Sequence, residues 1–299
     1  MFFGRCLNSG YFKVNNSLQR VERQVMVREE IRLKEYFRFV DVVLEVLDAR
    51  LPLKSRNYRL HKMLGEKNRL VILNKADLAD KETTGRWLKV LAGKGWPVLA
   101  FDAKRAFTLK KLEKMLLVSR PQKLRYRRSL RLMAVGIPNV GKSTLINRLA
   151  RRFAVKTGER AGITRGPQWI KMRGGWEMLD TPGLLAPRWR DNAGAFALAA
   201  IGSLDSKVVE AVSTAKWLLA QFLLREKSAR TLKRYYLQGE TEKEQDAAAI
   251  LLAIGLSRGC IKQGGQIDEE KAAQMVLRDF RRGVLGPLSL EKPEDYADF

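Results

Sequence analysis

The sequence predicts an α/β fold, a mostly parallel sheet with helices on both faces, followed by an all-helical C-terminal domain. Three observations predict it. Short apolar runs rich in β-branched residues alternate with helical rhythms as far as Asp180. Two of those runs lead directly into loops rich in glycine, asparagine and aspartate. Beyond about residue 200 only helix-period patterns remain.

The elements follow in order. Residues 18–38 read as a basic helix, with Leu18, Val21, Val25, Ile31 and Leu33 interleaved with Arg, Lys and Glu. Asp41 to Asp48 and Leu70 to Leu73 are short apolar runs rich in β-branched residues, by preference parallel strands buried on both faces. Asn57 to Leu64 and Thr83 to Leu91 have helical spacing, Pro97 to Phe101 is a further strand, and Leu109 to Val118 a further helix. A basic linker, 119–131, leads into the strand Leu132–Val135 and a helix from about Lys142 to Arg152. Trp176 to Leu179 is the last predicted strand, and Val208–Leu224, Ala247–Ile254 and Ala272–Phe280 are predicted helices. The division expected is an extension at 1–22, an α/β domain at 23–185, a linker at 186–204 and a helical domain at 205–299.

The charge is lopsided. The formal net charge is +25, a balance that points to a polyanionic partner. From Asp205 onward 15 Lys/Arg meet 15 Asp/Glu, whereas residues 1–204 hold 42 against 17. The densest stretch is Arg120, Lys123, Arg125, Arg127, Arg128 and Arg131. No apolar run approaches the roughly 18 residues of a membrane span, and Met1–Gly10 lacks the features of a signal peptide. Cys6 and Cys260 are far apart and form no metal-binding pattern, so a reducing cytoplasm is the expected setting. A monomer is expected.

Gly136-Ile-Pro-Asn-Val-Gly-Lys-Ser143 fits G-x-x-x-x-G-K-[ST] between a strand and a helix. In that context the glycines let backbone N–H groups of Asn139, Val140, Gly141 and Thr144 close around phosphate oxygens, and the helix adds its positive end. Lys142 reaches the β- and γ-phosphates and Ser143 offers a hydroxyl to Mg²⁺. Asn74-Lys75-Ala76-Asp77 follows the strand Leu70–Leu73. A carboxylate at Asp77 can accept from both the ring N–H and the exocyclic amine of guanine, a donor pair that adenine lacks. Lys75 can lie along the base, and Asn74 can tie this loop to the phosphate loop. Phe101-Asp102-Ala103-Lys104 follows the next strand, where the Ala103 N–H can meet the guanine carbonyl and Asp102 stands beside it. Asp180-Thr-Pro-Gly183 ends a strand; Asp180 would hold Mg²⁺ through water and the Gly183 N–H would face the γ-phosphate. Thr164 is the candidate for a second Mg²⁺ ligand, so the metal set is Ser143, Thr164 and Asp180. Leu184 follows Gly183, where many GTPases place a water-orienting Gln.

The base loop therefore precedes the phosphate loop, the reverse of the usual order, and the expectation is a circularly permuted P-loop GTPase domain binding GTP or GDP. With Asp48-Ala-Arg upstream and Gly-Ile-Pro-Asn-Val-Gly-Lys-Ser-Thr-Leu-Ile-Asn within, the chain resembles the YlqF/RbgA family of ribosome biogenesis GTPases over roughly 23–299. The resemblance extends to Arg258-Gly-Cys260 and Gly264-Gly265. It implies assembly of the bacterial large ribosomal subunit, contact with rRNA and ribosomal proteins, and GTP hydrolysis on release. GTPases with this phosphate-loop form use an Asn at the place of Asn139 to help hold K⁺, so Lys142, Asn139, Thr164 and Gly183 are the residues expected to serve hydrolysis. Members of the family carry a Pro-Gly-His near the N-terminus; its place here falls at Gln24-Val25-Met26, and the sole histidine is His61. That departure and Leu184 give the alternative expectation, a nucleotide-gated RNA-binding scaffold with negligible hydrolysis.

Overall fold

The computed structural model describes residues 31–65, 67–119, 129–150, 168–172, 175–180, 187–189, 191–225, 234–235 and 246–296, apart from the side chains of Tyr58, His61 and Asp180. The expectations for Thr164, Gly183, Leu184, the basic run 120–128 and residues 1–30 fall outside it. The elements run α1 (31–37), β1 (Val42–Asp48), α2 (Tyr58–Leu64), β2 (Asn68–Asn74), α3 (Lys81–Gly93), β3 (Val98–Phe101), α4 (Ala106–Val118) and β4 (Leu130–Val135). After these come α5 (Lys142–Ala150), β5 (Gln168–Lys171), β6 (Trp176–Asp180), α6 (Asn192–Ala200), α7 (Ala211–Leu224), α8 (Ala247–Ser257) and α9 (Glu269–Arg282).

The strands form one sheet in the order β3-β2-β1-β4-β6-β5. All pairs are parallel except β5 with β6. Every residue of β1 is buried, as a strand covered on both faces requires. Its interior acid, Glu45, is met by Arg56 at 3.0 Å and Arg69 at 3.5 Å, and both guanidinium groups lie over the Trp96 ring. The chain lays β2 and β3 to one side of β1 and then places β4 on the other. This puts a topological switch point at the C-terminal ends of β1 and β4, where open α/β sheets bind ligands. The two strands flanking β1 are those that run into the Asn74 and Gly136 loops.

Three expectations shift. The linker expected at 186–204 contains α6, which reads Asn-Ala-Gly-Ala-Phe-Ala-Leu-Ala-Ala and buries Gly194 through Ala200. A helix buried nearly all round has no polar face, and hence no amphipathic period to read. The basic stretch ending at Arg131 runs into β4, which starts at Leu130 rather than Leu132. Arg131 is accordingly a strand residue, paired with Glu177 at 3.0 Å and lying over the Trp169 ring at 4.9 Å. Finally, the helical part is not detached from the sheet. One continuous core cluster runs from β1 and β4 into α6, α7, α8 and α9.

The segment after α9 returns to the α/β layer. Leu288 N–H donates to Leu78 O and Leu290 N–H to Arg50 O, at 3.1 and 2.8 Å. Glu291 accepts from the amides of Leu53 and Lys54 at 2.8 and 3.0 Å, and its carbonyl from Trp87 Nε1. Burial raises the Glu291 carboxyl above its ordinary range, opposed by Tyr296, Lys54 and those two amides.

Candidate nucleotide-binding site

The phosphate loop leaves β4 through Gly136, where an added Cβ would stand 2.4 Å from the Val46 carbonyl oxygen. Only glycine lets the chain turn this close to β1. Asn139 takes a left-handed backbone, φ 61°, and Lys142, Ser143 and Thr144 open α5. Lys142 Nζ donates to Ile137 O at 2.8 Å, so the ammonium lies folded over its own loop.

The base loop meets this loop directly. Asn74 Nδ2 donates to Val140 O at 2.7 Å across 66 residues of sequence, and Lys75 Nζ donates to Asn139 O. Lys75 also has a left-handed backbone, φ 57°, and its Nζ lies 3.2 Å from Asp48 Oδ2. Gly141 is what permits the approach: an added Cβ would sit 2.2 Å from Asn74 Nδ2, at φ 95°. Gly141→Ala is therefore expected to force the two loops apart. The Asn74–Val140 bond is worth about 1.4 kcal/mol, so nucleotide affinity should fall by roughly tenfold or more. Titration with a fluorescent guanine nucleotide checks it; unchanged affinity would show that the loop contact does not shape the site.

Asp77 Oδ2 receives Lys104 Nζ at 2.7 Å, which raises the Lys104 ammonium above its usual range through that bond and the carboxylate charge. Ala76 N–H donates to Phe101 O, so the Ala103 element lies beside the base loop. Asp102 is buried, with Oδ1 accepting the Lys104 amide at 2.8 Å and Oδ2 3.2 Å from Arg105 Nε. Its carboxylate thus holds the turn that presents Ala103.

Asp48 and Arg50, noticed in the sequence only as part of a resemblance, occupy the centre of this arrangement. Both are fully buried. Arg50 grips Asp48 with Nε to Oδ1 at 2.9 Å and NH2 to Oδ2 at 2.8 Å, a bidentate pair. Burial alone would raise the Asp48 carboxyl; Arg50 and Lys75 beside it outweigh that and hold it far below the ordinary carboxylate range. Burial also lowers the Lys75 ammonium, opposed by Asp48. The Arg50 guanidinium lies 4.6 Å from the Phe280 ring centroid and donates to Phe280 O at 3.3 Å. The base loop, β1 and α9 are thereby joined through one buried ion pair. A charged pair inside an apolar Leu-Asp-Ala-Arg-Leu run is the signal that sequence reading had available for it.

The helical part also touches the phosphate loop. Asn139 Nδ2 donates to Gly202 O, Ser203 Oγ donates to Pro138 O at 2.7 Å, and Arg281 donates to the carbonyls of Ala199 and Ala200. A cavity of about 1220 Å³ lies between, bounded by Lys75, Asn139 and Gly141–Thr144 on one side and α9 with residues 201–206 on the other. Asp180 closes β6, the neighbour of β4 in the sheet. The structure thus gathers Asn74, Lys75, Ala76, Asp77, Asp102, Ala103 and the 136–144 loop at one sheet end. Thr164 and Gly183 lie outside the described residues.

Two family models match the chain: one described as RsgA GTPase over residues 24–189, the other as 50S ribosome-binding GTPase over residues 131–254. The chain is 37% identical over 280 residues to ribosome biogenesis GTPase A of Bacillus cereus, covering 91% of this chain and 93% of that one. It is 33% identical to ribosome biogenesis GTPase A of Thermotoga maritima, covering 88% and 90%. Among solved structures it is similar to GDP-bound TM YlqF, with TM-score 0.64 and 28% identity over 88% of this chain and all of the other. GNP-bound YlqF from T. maritima gives 0.61 and 27%, over 88% and 97%.

Proposed function

The chain belongs to the ribosome biogenesis GTPase A family, and from that premise we propose that it binds and hydrolyses GTP as an assembly factor for the bacterial large ribosomal subunit. The observation that carries the reading is the pair of bonds Asn74–Val140 and Lys75–Asn139, which join the loop that bears Asp77 to the phosphate loop at one end of the sheet. In this reading Asp77 accepts from the guanine edge, the Ala103 amide meets its carbonyl oxygen, and the amides of 139–144 cradle the phosphates. Lys142 Nζ exchanges Ile137 O for phosphate oxygens. That exchange is favourable because a charged acceptor binds an ammonium more strongly than a neutral carbonyl does.

The residues present suit Mg²⁺. Ser143 lines the cavity at the start of α5, and β6, which ends at Asp180, is the sheet neighbour of β4. Ser143, Asp180 and Thr164 are the proposed holders, and Mg²⁺ supplies charge to the phosphate oxygens. Asn139 is the proposed K⁺ residue; the bond from its amide nitrogen to Gly202 O orients the side chain, and Oδ1 is the atom that would take the ion. The same bond, with Ser203 to Pro138, ties the phosphate loop to the turn entering the helical part. Changes at the phosphates are therefore passed to α6–α9, a mechanical basis for nucleotide-dependent release from the subunit.

The positive excess in residues 1–204 suits rRNA phosphates. No helix among the described residues is long and apolar enough to cross a membrane, and a monomer acting in the cytoplasm, where subunit precursors assemble, fits the role. The relatives' common description as GTPases favours hydrolysis over a silent scaffold. Turnover of GTP in KCl, with and without large-subunit precursors, is the test. Stimulation by subunits, together with subunit binding that weakens steeply as salt rises, is expected. No stimulation at any stage of maturation would overturn the reading.

A further inference from the structure

The cavity has a second wall that the nucleotide motifs do not account for. Lys271, Gln274, Arg278 and Arg281 all line it from α9, and spacings of three and four residues place them on one helical face. Arg281 is used structurally, bonded to the carbonyls of Ala199 and Ala200. Lys271 and Arg278 are exposed, and among the described residues neither side chain has an ion-pair partner. The acids nearest in sequence are engaged elsewhere: Glu269 pairs with Lys216 at 2.8 Å, Glu270 accepts from Gln274 at 3.0 Å, and Asp279 is buried against Tyr235 and Arg234. Across the cleft Asp205 caps its own turn, accepting from Lys207 N–H at 2.9 Å.

Lys142, Lys271 and Arg278 thus border one cavity as three cations. Like charges facing a shared space repel, and an anion held between them relieves that repulsion. Helix α9 is also fixed with respect to the base loop. Phe280 packs under Arg50, and an added Cβ at Gly283 would stand 2.4 Å from Leu78 Cδ2.

We infer that α9 is the second wall of the nucleotide site, with Lys271 and Arg278 meeting the phosphate groups of the bound guanine nucleotide from the side opposite Lys142. The inference rests on the nucleotide-binding reading above and adds to it a contact from the helical part. Loss of phosphate changes the charge these two residues face, so the strength of the contact between α9 and the site depends on the nucleotide state.

The test uses the full chain and compares wild type, the Lys271→Ala/Arg278→Ala double variant and the charge-keeping Lys271→Arg/Arg278→Lys variant. GTP and GDP affinities are read by fluorescent-nucleotide titration, and guanosine by competition. The alanine variant is expected to lose about 10- to 100-fold in GTP affinity, the worth of one or two charge-assisted bonds. GDP should lose less, guanosine should change little, and the charge-keeping variant should stay near wild type. Equal losses for GTP and guanosine would mean a structural effect and overturn the inference. Unchanged GTP affinity with weakened RNA binding would overturn it too, giving the stripe to RNA. A wild-type chain that binds no GTP would instead bring down the nucleotide site itself.

Discussion

Lys142→Ala is expected to lower GTP affinity by roughly 100- to 1,000-fold. The ammonium stands at the head of α5 in the G-x-x-x-x-G-K-S loop and already makes a 2.8 Å bond to Ile137 O, so it is ordered beside the proposed phosphate site. Removing it deletes two charge-assisted bonds, together about 3–4 kcal/mol. It removes none of the apolar contacts that build the sheet, because Leu145, Ile146 and Leu149 carry the packing of α5. The loss should therefore appear in nucleotide titration with the thermal unfolding of the nucleotide-free protein little changed. A variant that keeps wild-type affinity would mean that the phosphates bind elsewhere.

Asp77→Asn should alter which base is bound rather than whether the fold survives. In the proposed site the carboxylate accepts from two donors on guanine; an asparagine presents one acceptor and one donor, so its N–H₂ would face the exocyclic amine. Xanthine carries an oxygen in that place and matches asparagine. GTP affinity should fall by roughly 100-fold or more while xanthosine triphosphate gains, because a site built for a polar pairing penalises the mismatched partner heavily. Loss of the 2.7 Å Asp77–Lys104 pair adds little, since Lys104 is well exposed and such pairs are weak. Paired titrations with the two triphosphates decide it: an unchanged preference would remove Asp77 from the base site.

Much of this site was legible because its parts are local. A run such as Leu70–Leu73 announces a buried strand, and the loop after it must then lie at a strand end, where ligands bind. Asn74 reads as a tie to the phosphate loop, and its amide does bond Val140 O. Arg131 was not legible. In sequence it closes a basic run, but two positions of added strand bring it beside Glu177. The short antiparallel β5 and the all-round apolar α6 escaped for a related reason, since neither carries the periodicity by which an element shows itself.

From the sequence alone came the alternation of strands and helices, the identity of both nucleotide loops and their reversed order, all of them properties of short contiguous stretches. Tertiary structure alone decided that Arg50 joins the base loop to Phe280, that residues after α9 fold back onto α3, and that Lys271 and Arg278 line one cavity with the phosphate loop. Those contacts span more than a hundred residues, and their partners are chosen by shape and charge in three dimensions. Local pattern records only which side of an element is buried, not which surface buries it.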